Sequence, residues 1–177
     1  MEKLGLSNSV SNMIDQIGKV NTPSISLIIG EGGSEAALAF SITDKVLMLE
    51  NAIYTPIIPE KGAKTEMKDQ NKISEIAESL KLTASDCLNS GIIDKVIPEP
   101  KGGAHQNPTE TAKLIKKILS NELFEINKIH INTLKNRRRK KYRNIGEFGS
   151  KFLKTVKHES KIFQAGIKAI IKSLREN

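Results

Sequence analysis

An α/β layered domain is predicted by three observations along the chain. Short strand-like runs recur at 25–29, 46–49 and 92–97, the first apolar, rich in β-branched residues and too short for a free helix. Helical apolar spacing separates them, and the links between are brief and rich in glycine, proline and asparagine. Strands that alternate with helices in this way form layered sheets rather than a bundle. The 177 residues suffice for one domain with a real core and an appendage.

Each element has its own warrant. Val10, Met13, Ile14 and Ile17 lie at helical spacing over residues 7–20, with Ser7 or Asn8 as the expected cap. Asn21, Thr22 and Pro23 close that helix. The run at 25–29 reads as a buried strand, and Gly30, Gly32 and Gly33 after it predict a tight turn. Ser34 is the expected cap of a helix that opens Glu35, Ala36, Ala37, Leu38, Ala39. A strand that feeds a glycine turn and a helix start presents backbone N–H groups to whatever sits above. The plainer alternative is a glycine turn that only packs strand on helix.

Residues 46–49 predict a second strand and residues 52–58 a third, broken by Pro56 and so placed at an edge or bend. Residues 59–66 are polar and read as a loop. A helix from about Asp69 is expected to bury Ile73, Ile76, Ala77 and Leu80. Thr83 or Ser85 caps a short turn that ends at Gly91 and carries Cys87 as a small core residue. Pro98 to Pro100 and Lys101 to Gly103 make a connector. Asn107, Pro108 and Glu110 form a strong helix start, and that helix is expected to bury Ile115, Ile118, Leu119 and Leu123.

Charge divides the chain. Residues 1–127 hold 13 Lys/Arg against 17 Asp/Glu, whereas residues 128–177 hold 15 against 3. A domain over 1–127 and a basic helical extension over 128–177 are therefore expected. Residues 135–143 carry seven positive charges in nine positions. They could neutralise phosphates, but repeated aromatics for base stacking and any recognised binding module are lacking. A solvated face, or a surface for an acidic partner, is the favoured reading, and nucleic acid is not expected as a partner. From about Lys151 a last helix repeats apolar residues at Phe152, Val156, Phe163, Ile167, Ile170 and Leu174. Docking on the domain, pairing with another chain and lying on an anionic membrane all fit that pattern.

Several chemistries are set aside. One cysteine excludes an internal disulfide and a multi-cysteine zinc site. His105, His130 and His158 show no metal-ligand spacing, so no metal is expected on this chain. No lysine follows the glycines before Lys45, and Glu35 stands where a dinucleotide fingerprint needs glycine, so both nucleotide motifs fail. No apolar run approaches the length of a membrane span, and the first residues do not read as a secretory signal. A cytoplasmic protein is the expectation.

Gly30, Glu31, Gly32, Gly33 and Ser34, with Ala37, Leu38 and Ala39, resemble the α subunit of bacterial-type acetyl-CoA carboxylase carboxyltransferase. The likeness continues through the block from Asp44 to Glu50, Tyr54, Pro59 and Glu60, then from Ala77 to Ala84 and from Gly91 to Asp94. Ile97, Pro98, Glu99 and Pro100 with Gly102, Gly103, Ala104, His105 and Pro108 are its most specific part. The resemblance implies a crotonase-like ββα spiral, partial here, with the N-terminal portion of the family missing. It also implies transfer of a carboxyl group from carboxybiotin to acetyl-CoA, giving malonyl-CoA for fatty acid synthesis. The carboxybiotin rides on a separate biotin carboxyl carrier protein. ATP is used by another subunit, zinc belongs to a β partner, and an α₂β₂ assembly is implied.

Carried onto this chain, the oxyanion donors are the backbone N–H groups of Glu35 and Ala36. Gly32, Gly33 and Ser34 become substrate-binding residues. The family usually reads Ser-Gly-Gly-Ala where this chain has Ser34, Glu35, Ala36 and Ala37. Residues 61–66 differ as well. A non-catalytic interaction or scaffold paralogue is the alternative. Another crotonase-like acyl-CoA enzyme or a Clp-type protease ranks last; the protease needs a Ser/His/Asp set, and no such local signature surrounds Ser34 or His105. His105 could touch biotin or a partner, or simply bond nearby backbone.

Overall fold

The computed structural model describes residues 5–57 and 73–145. The chain divides into two compact units, Met1–Tyr142 and Arg143–Asn177. The sheets and the helices that cover them belong to the first unit. The expected loop at 59–66, the start of the helix at Asp69 and the last helix from Lys151 lie outside the described residues.

Helix α1 (Leu6–Lys19) leads into strand β1 (Ile25–Ile28), strand β2 (Glu31–Gly33) and helix α2 (Ser34–Phe40). Strands β3 (Lys45–Leu49) and β4 (Ile53–Thr55) follow, then helices α3 (Ile73–Ser79) and α4 (Ala84–Asn89). Strand β5 (Lys95–Ile97) and helices α5 (Pro108–Asn127) and α6 (Ile131–Arg143) complete the described chain. β1, β3 and β5 form one parallel sheet in that order, and β2 and β4 form a second. Leu27 faces Leu47 and Leu49 faces Ile97 in the first sheet; Gly32 faces Tyr54 in the second. The chain thus steps twice from the first sheet to the second and then into helix. This is a ββα repeat.

β3 is the centre. Val46, Leu47, Met48 and Leu49 are all buried in succession, as expected of a parallel strand covered on both faces. Ala52, Ala84, Cys87, Ile93 and Ile97 close around them, and Ile115, Ile118 and Leu119 of α5 pack from outside. Cys87 is the core residue expected. Burial, then the neighbouring Asp86, pushes its thiol above the ordinary value. A thiol reagent such as DTNB is therefore expected to react with Cys87 only at the rate of unfolding. Prompt labelling of the native chain would contradict that burial.

Several boundaries move, each for a local reason. Gly5, not Ser7 or Asn8, precedes α1, and no side chain caps it. The glycine turn expected at 30–33 is instead a bend at Ile29 and Gly30 followed by β2. Gly32 is buried there, and a Cβ on it would lie 3.0 Å from the Tyr54 ring and 3.2 Å from Ile28. β4 ends before Pro56. β5 begins at Lys95 rather than Ile92, because the Ile92 and Ile93 N–H groups both donate to the Cys87 carbonyl. The Asp94 carboxylate meanwhile accepts the Val46 N–H at 2.7 Å. Thr83 caps α4, and Asn107 caps α5 by accepting the Glu110 N–H at 3.1 Å while its amide donates to the Glu110 carboxylate. Leu123, expected inside, is 39% exposed, and Ile126 is buried in its place.

The basic run needs the largest correction. It forms α6, and the compact unit continues past the expected boundary at 127/128 to Tyr142. Arg138 is not solvated but buried. Its guanidinium donates to both Asp44 carboxylate oxygens, at 2.8 and 2.6 Å, and to the carbonyls of Ile17, Val20 and Thr22. Lys141 pairs with Asp94, and the Tyr142 hydroxyl donates to the Ser41 and Thr43 carbonyls. Burial raises the Tyr142 phenol well above its usual value, which keeps it a donor. Arg137, Arg139, Lys140 and Arg143 are less enclosed than Arg138.

Candidate functional site

The three strands of the first sheet run parallel, so their carboxyl ends share one edge. Ligands of open α/β sheets bind at such an edge, where loops diverge. Three segments leave the strands there: Ile29 and Gly30 after β1, Glu50 and Asn51 after β3, and Pro98 to Pro100 after β5. Ile29, 61% exposed, lines a cleft of about 540 Å³ together with Asn51, Glu99, Ala104, His105 and Pro108.

On one side of this edge the glycine segment becomes a helix. Gly33 is extended, with φ −126° and ψ 153°, and Ser34 then takes φ 61°. A left-handed value costs a residue with a Cβ about 1–2 kcal/mol. The strain sits where the strand breaks sharply into α2. Gly33, not the expected Ser34, occupies the cap position, and no side chain accepts a hydrogen bond from the helix start. First-turn N–H groups have no acceptor within their own helix. Glu35 and Ala36 are exposed, and a Cβ on Gly33 would meet nothing within 4 Å. The expected donors, Glu35 and Ala36, thus stand together at an open helix start beside Gly33 and Ser34. Gly32 is the exception, because it is turned into the protein and lets β2 close on β4.

The other side is built by Glu99, whose role the sequence did not single out. One of its carboxylate oxygens accepts the Asn51 N–H at 2.9 Å and the other accepts the Ala104 N–H at 2.6 Å. Its own N–H donates to the Glu50 carboxylate at 3.1 Å. Partial burial alone would raise the Glu99 carboxyl. The bonds from Asn51 and Ala104, with His105 nearby, outweigh it and hold the group below the usual carboxylate value. The connector beyond it turns through Gly102 (φ 90°) and Gly103 (φ 97°). His105 is exposed over Gly103, where a Cβ would lie 3.1 Å from its ring Nδ1. The carboxyl group between two prolines was the available signal for Glu99.

The sequence profile described as acetyl co-enzyme A carboxylase carboxyltransferase-like matches residues 1–146. The acetyl-coenzyme A carboxylase carboxyl transferase subunit alpha of Clostridium botulinum (strain Eklund 17B / Type B) is 45% identical over 145 residues, 82% of this chain and 53% of that protein. The corresponding subunit of Crocosphaera subtropica is 43% identical over 147 residues, 83% of this chain and 44% of that protein. The chain therefore spans about half the length of the curated relatives it matches. Among solved structures, a Pseudomonas malonate decarboxylase hetero-tetramer in complex with coenzyme A superposes with a TM-score of 0.61. The match has 12% identity and covers 89% of this chain and 61% of that one. At that identity the likeness is one of fold, and the fold is the partial crotonase-like layering expected. By the profile match over most of its length, the chain belongs to the acetyl co-enzyme A carboxylase carboxyltransferase-like family.

Proposed function

We propose that the chain is the α-type part of an acetyl-CoA carboxylase carboxyltransferase, which moves a carboxyl group from carboxybiotin to acetyl-CoA and yields malonyl-CoA. The observation that carries this reading is the open start of α2, with the Glu35 and Ala36 N–H groups exposed and uncapped after the strained Ser34. Two backbone donors held at fixed positions stabilise an oxygen as negative charge grows on it, and they need no proton transfer to do so. Carboxybiotin, carried on a separate biotin carboxyl carrier protein, supplies the carboxyl group when bound. The open space above Gly33 and the uncapped donors fit a carbonyl oxygen approaching the helix start.

In this reading a β-type subunit provides the zinc and the acetyl-CoA side, and ATP is consumed on a third component. The assembly is an α₂β₂ hetero-oligomer in the cytoplasm, serving fatty acid synthesis. Among the described residues, no helix is long and apolar enough to cross a membrane. The Glu35 side chain favours a second reading, a non-catalytic scaffold paralogue, because it places a carboxylate beside the donors, where charge must develop.

Co-expression with a β-type subunit separates the two. Co-purification, followed by carboxyl transfer from malonyl-CoA to biocytin above the level of β alone, is the expected result. A stable complex with no transfer would select the scaffold.

A further inference from the structure

The basic run and the amphipathic pattern after it have no part in carboxyl transfer. In α6 the structure sorts the cations into two kinds. Arg138 and Lys141 are engaged by Asp44 and Asp94, and Lys135 donates to the Asn21 side chain. Arg137, Arg139, Lys140 and Arg143 are exposed, and with the described residues none of them forms a hydrogen bond or ion pair. At about 100° per residue, Arg139, Lys140 and Arg143 share one outward face, opposite the buried Leu134 and Arg138, and Arg137 flanks it. The helix itself holds no acidic residue that could neutralise them.

The sequence carries the same charge onward past residue 146, where the family profile stops. Residues 151–175 hold seven Lys/Arg and a single acidic residue, Glu159. On a helical projection Phe152, Val156, Phe163, Ile167, Ile170 and Leu174 fall within about 60°, and all seven cations within about 120° on the opposite side. An apolar stripe backed by a lysine face is the pattern of helices that lie in the plane of an anionic bilayer. Other uses of the segment fit less well. Docking on the domain would bury the stripe and leave the cations without a role. Nucleic acid would engage the cations and leave the stripe in water. Pairing with a second copy, along a seam of Leu153, Val156, Phe163, Ile167, Ile170 and Leu174, is specified by opposite charges beside the seam. Of the seven flanking heptad positions only Lys157 and Glu159 are charged. We propose that the outward face of α6 and residues 151–175 together attach the chain to an anionic phospholipid surface. The headgroups meet the four free α6 cations and the lysines, while the apolar stripe enters the boundary between headgroups and acyl chains. Attachment of this kind is independent of carboxyl transfer.

The test is co-sedimentation of the full chain with vesicles of phosphatidylcholine, alone or mixed with about one third phosphatidylglycerol. Binding is expected only to the mixed vesicles, and it should fall at least about tenfold between about 0.1 and 0.5 M salt as the charges are screened. Arg137→Gln, Arg139→Gln, Lys140→Gln and Arg143→Gln, made together, should weaken it at least about tenfold. Arg137→Lys, Arg139→Lys and Arg143→Lys, made together, should leave it unchanged, because charge and not guanidinium geometry is read. Phe163→Ser with Ile170→Ser should weaken it about as much as the Gln set, by about tenfold, and gives a second readout should that set fail to fold. Equal binding to both vesicle types, or binding to neither, overturns the proposal. Binding to mixed vesicles that the folded Gln variant retains in full overturns it as well. A chain that ignores the mixed vesicles but binds a single-stranded oligonucleotide at the same salt would assign the cations to nucleic acid. One that ignores them and dimerises through Phe163 and Ile170 would assign the stripe to a second copy. Either result overturns attachment to lipid, and carboxyl transfer by a complex that does not bind the vesicles would do so while leaving the transfer reading intact.

Discussion

Arg138→Ala is expected to lower the unfolding free energy of the full chain by about 3–5 kcal/mol, the usual cost of removing one partner from a buried ion pair. The guanidinium has five N–H donors, and five acceptors meet them: two Asp44 oxygens and three carbonyls. Both side chains are almost wholly shielded, at 1% and 2% exposure. Removing Arg138 leaves the Asp44 carboxylate buried with only the Ser24 N–H and hydroxyl for company. It also takes the Arg138 donors from the Val20 and Thr22 carbonyls beyond the end of α1, and one of two donors from the Ile17 carbonyl, which still accepts the Val20 N–H. Three separate segments, the end of α1, the approach to β1 and the turn before β3, would lose their common anchor. Urea unfolding followed by circular dichroism measures the change. Arg139→Ala, one residue along on the exposed face, is the control and should move stability by no more than about 0.5 kcal/mol. Equal effects of the two substitutions would mean that Arg138 is as solvated as its neighbours.

That contrast also marks where sequence reading stops. Residues 137–141 are arginines and lysines in an unbroken row, and nothing local distinguishes Arg138 from the arginine on either side of it. What selects Arg138 is Asp44, 94 positions earlier in the chain. Local signals fared better where the physics is local. Asn107, Pro108 and Glu110 specify a helix start within four residues, and the start is found there. The apolar succession from Val46 to Leu49 announces a strand covered on both faces, which is β3. Helix α5 was legible in kind and in most of its face, since Ile115, Ile118 and Leu119 pack as expected and Leu123 alone of the four does not. Ile126 lies about three whole turns from Ile115 and shares its side, whereas Leu123 lies about two and a quarter turns on and drifts outward. At the candidate site the glycines signalled a special backbone, but not which one. Gly32 serves strand pairing, and the left-handed residue is Ser34, a type with no preference for that conformation. Glu99 was hidden for the reason Arg138 was: its partners Asn51 and Ala104 are brought to it by the sheet.

Ala36→Pro, assayed in the complex with a β-type subunit, is expected to reduce carboxyl transfer by about 10²–10³-fold, as loss of one oxyanion donor does in other acyl-transfer sites. Proline removes the N–H without breaking an intrahelical hydrogen bond, because a first-turn position of α2 has no helical acceptor to lose, and its ring bears besides on the helical backbone of Glu35. Ala36→Ser keeps the N–H, adds a side chain of similar size and should retain activity, which separates donor loss from crowding. The neighbouring residue predicts the opposite sign. Glu35→Gln retains its own N–H while removing a negative charge from the place where charge develops, so transfer should rise. If Ala36→Pro leaves the rate unchanged in an intact complex, the α2 start is not the oxyanion site. If Ala36→Pro is inactive while Glu35→Gln accelerates, the donors act and the carboxylate restrains them. The chain would then be a working transferase subunit held below its capacity by one exposed side chain, and the scaffold reading would lose the observation that favours it.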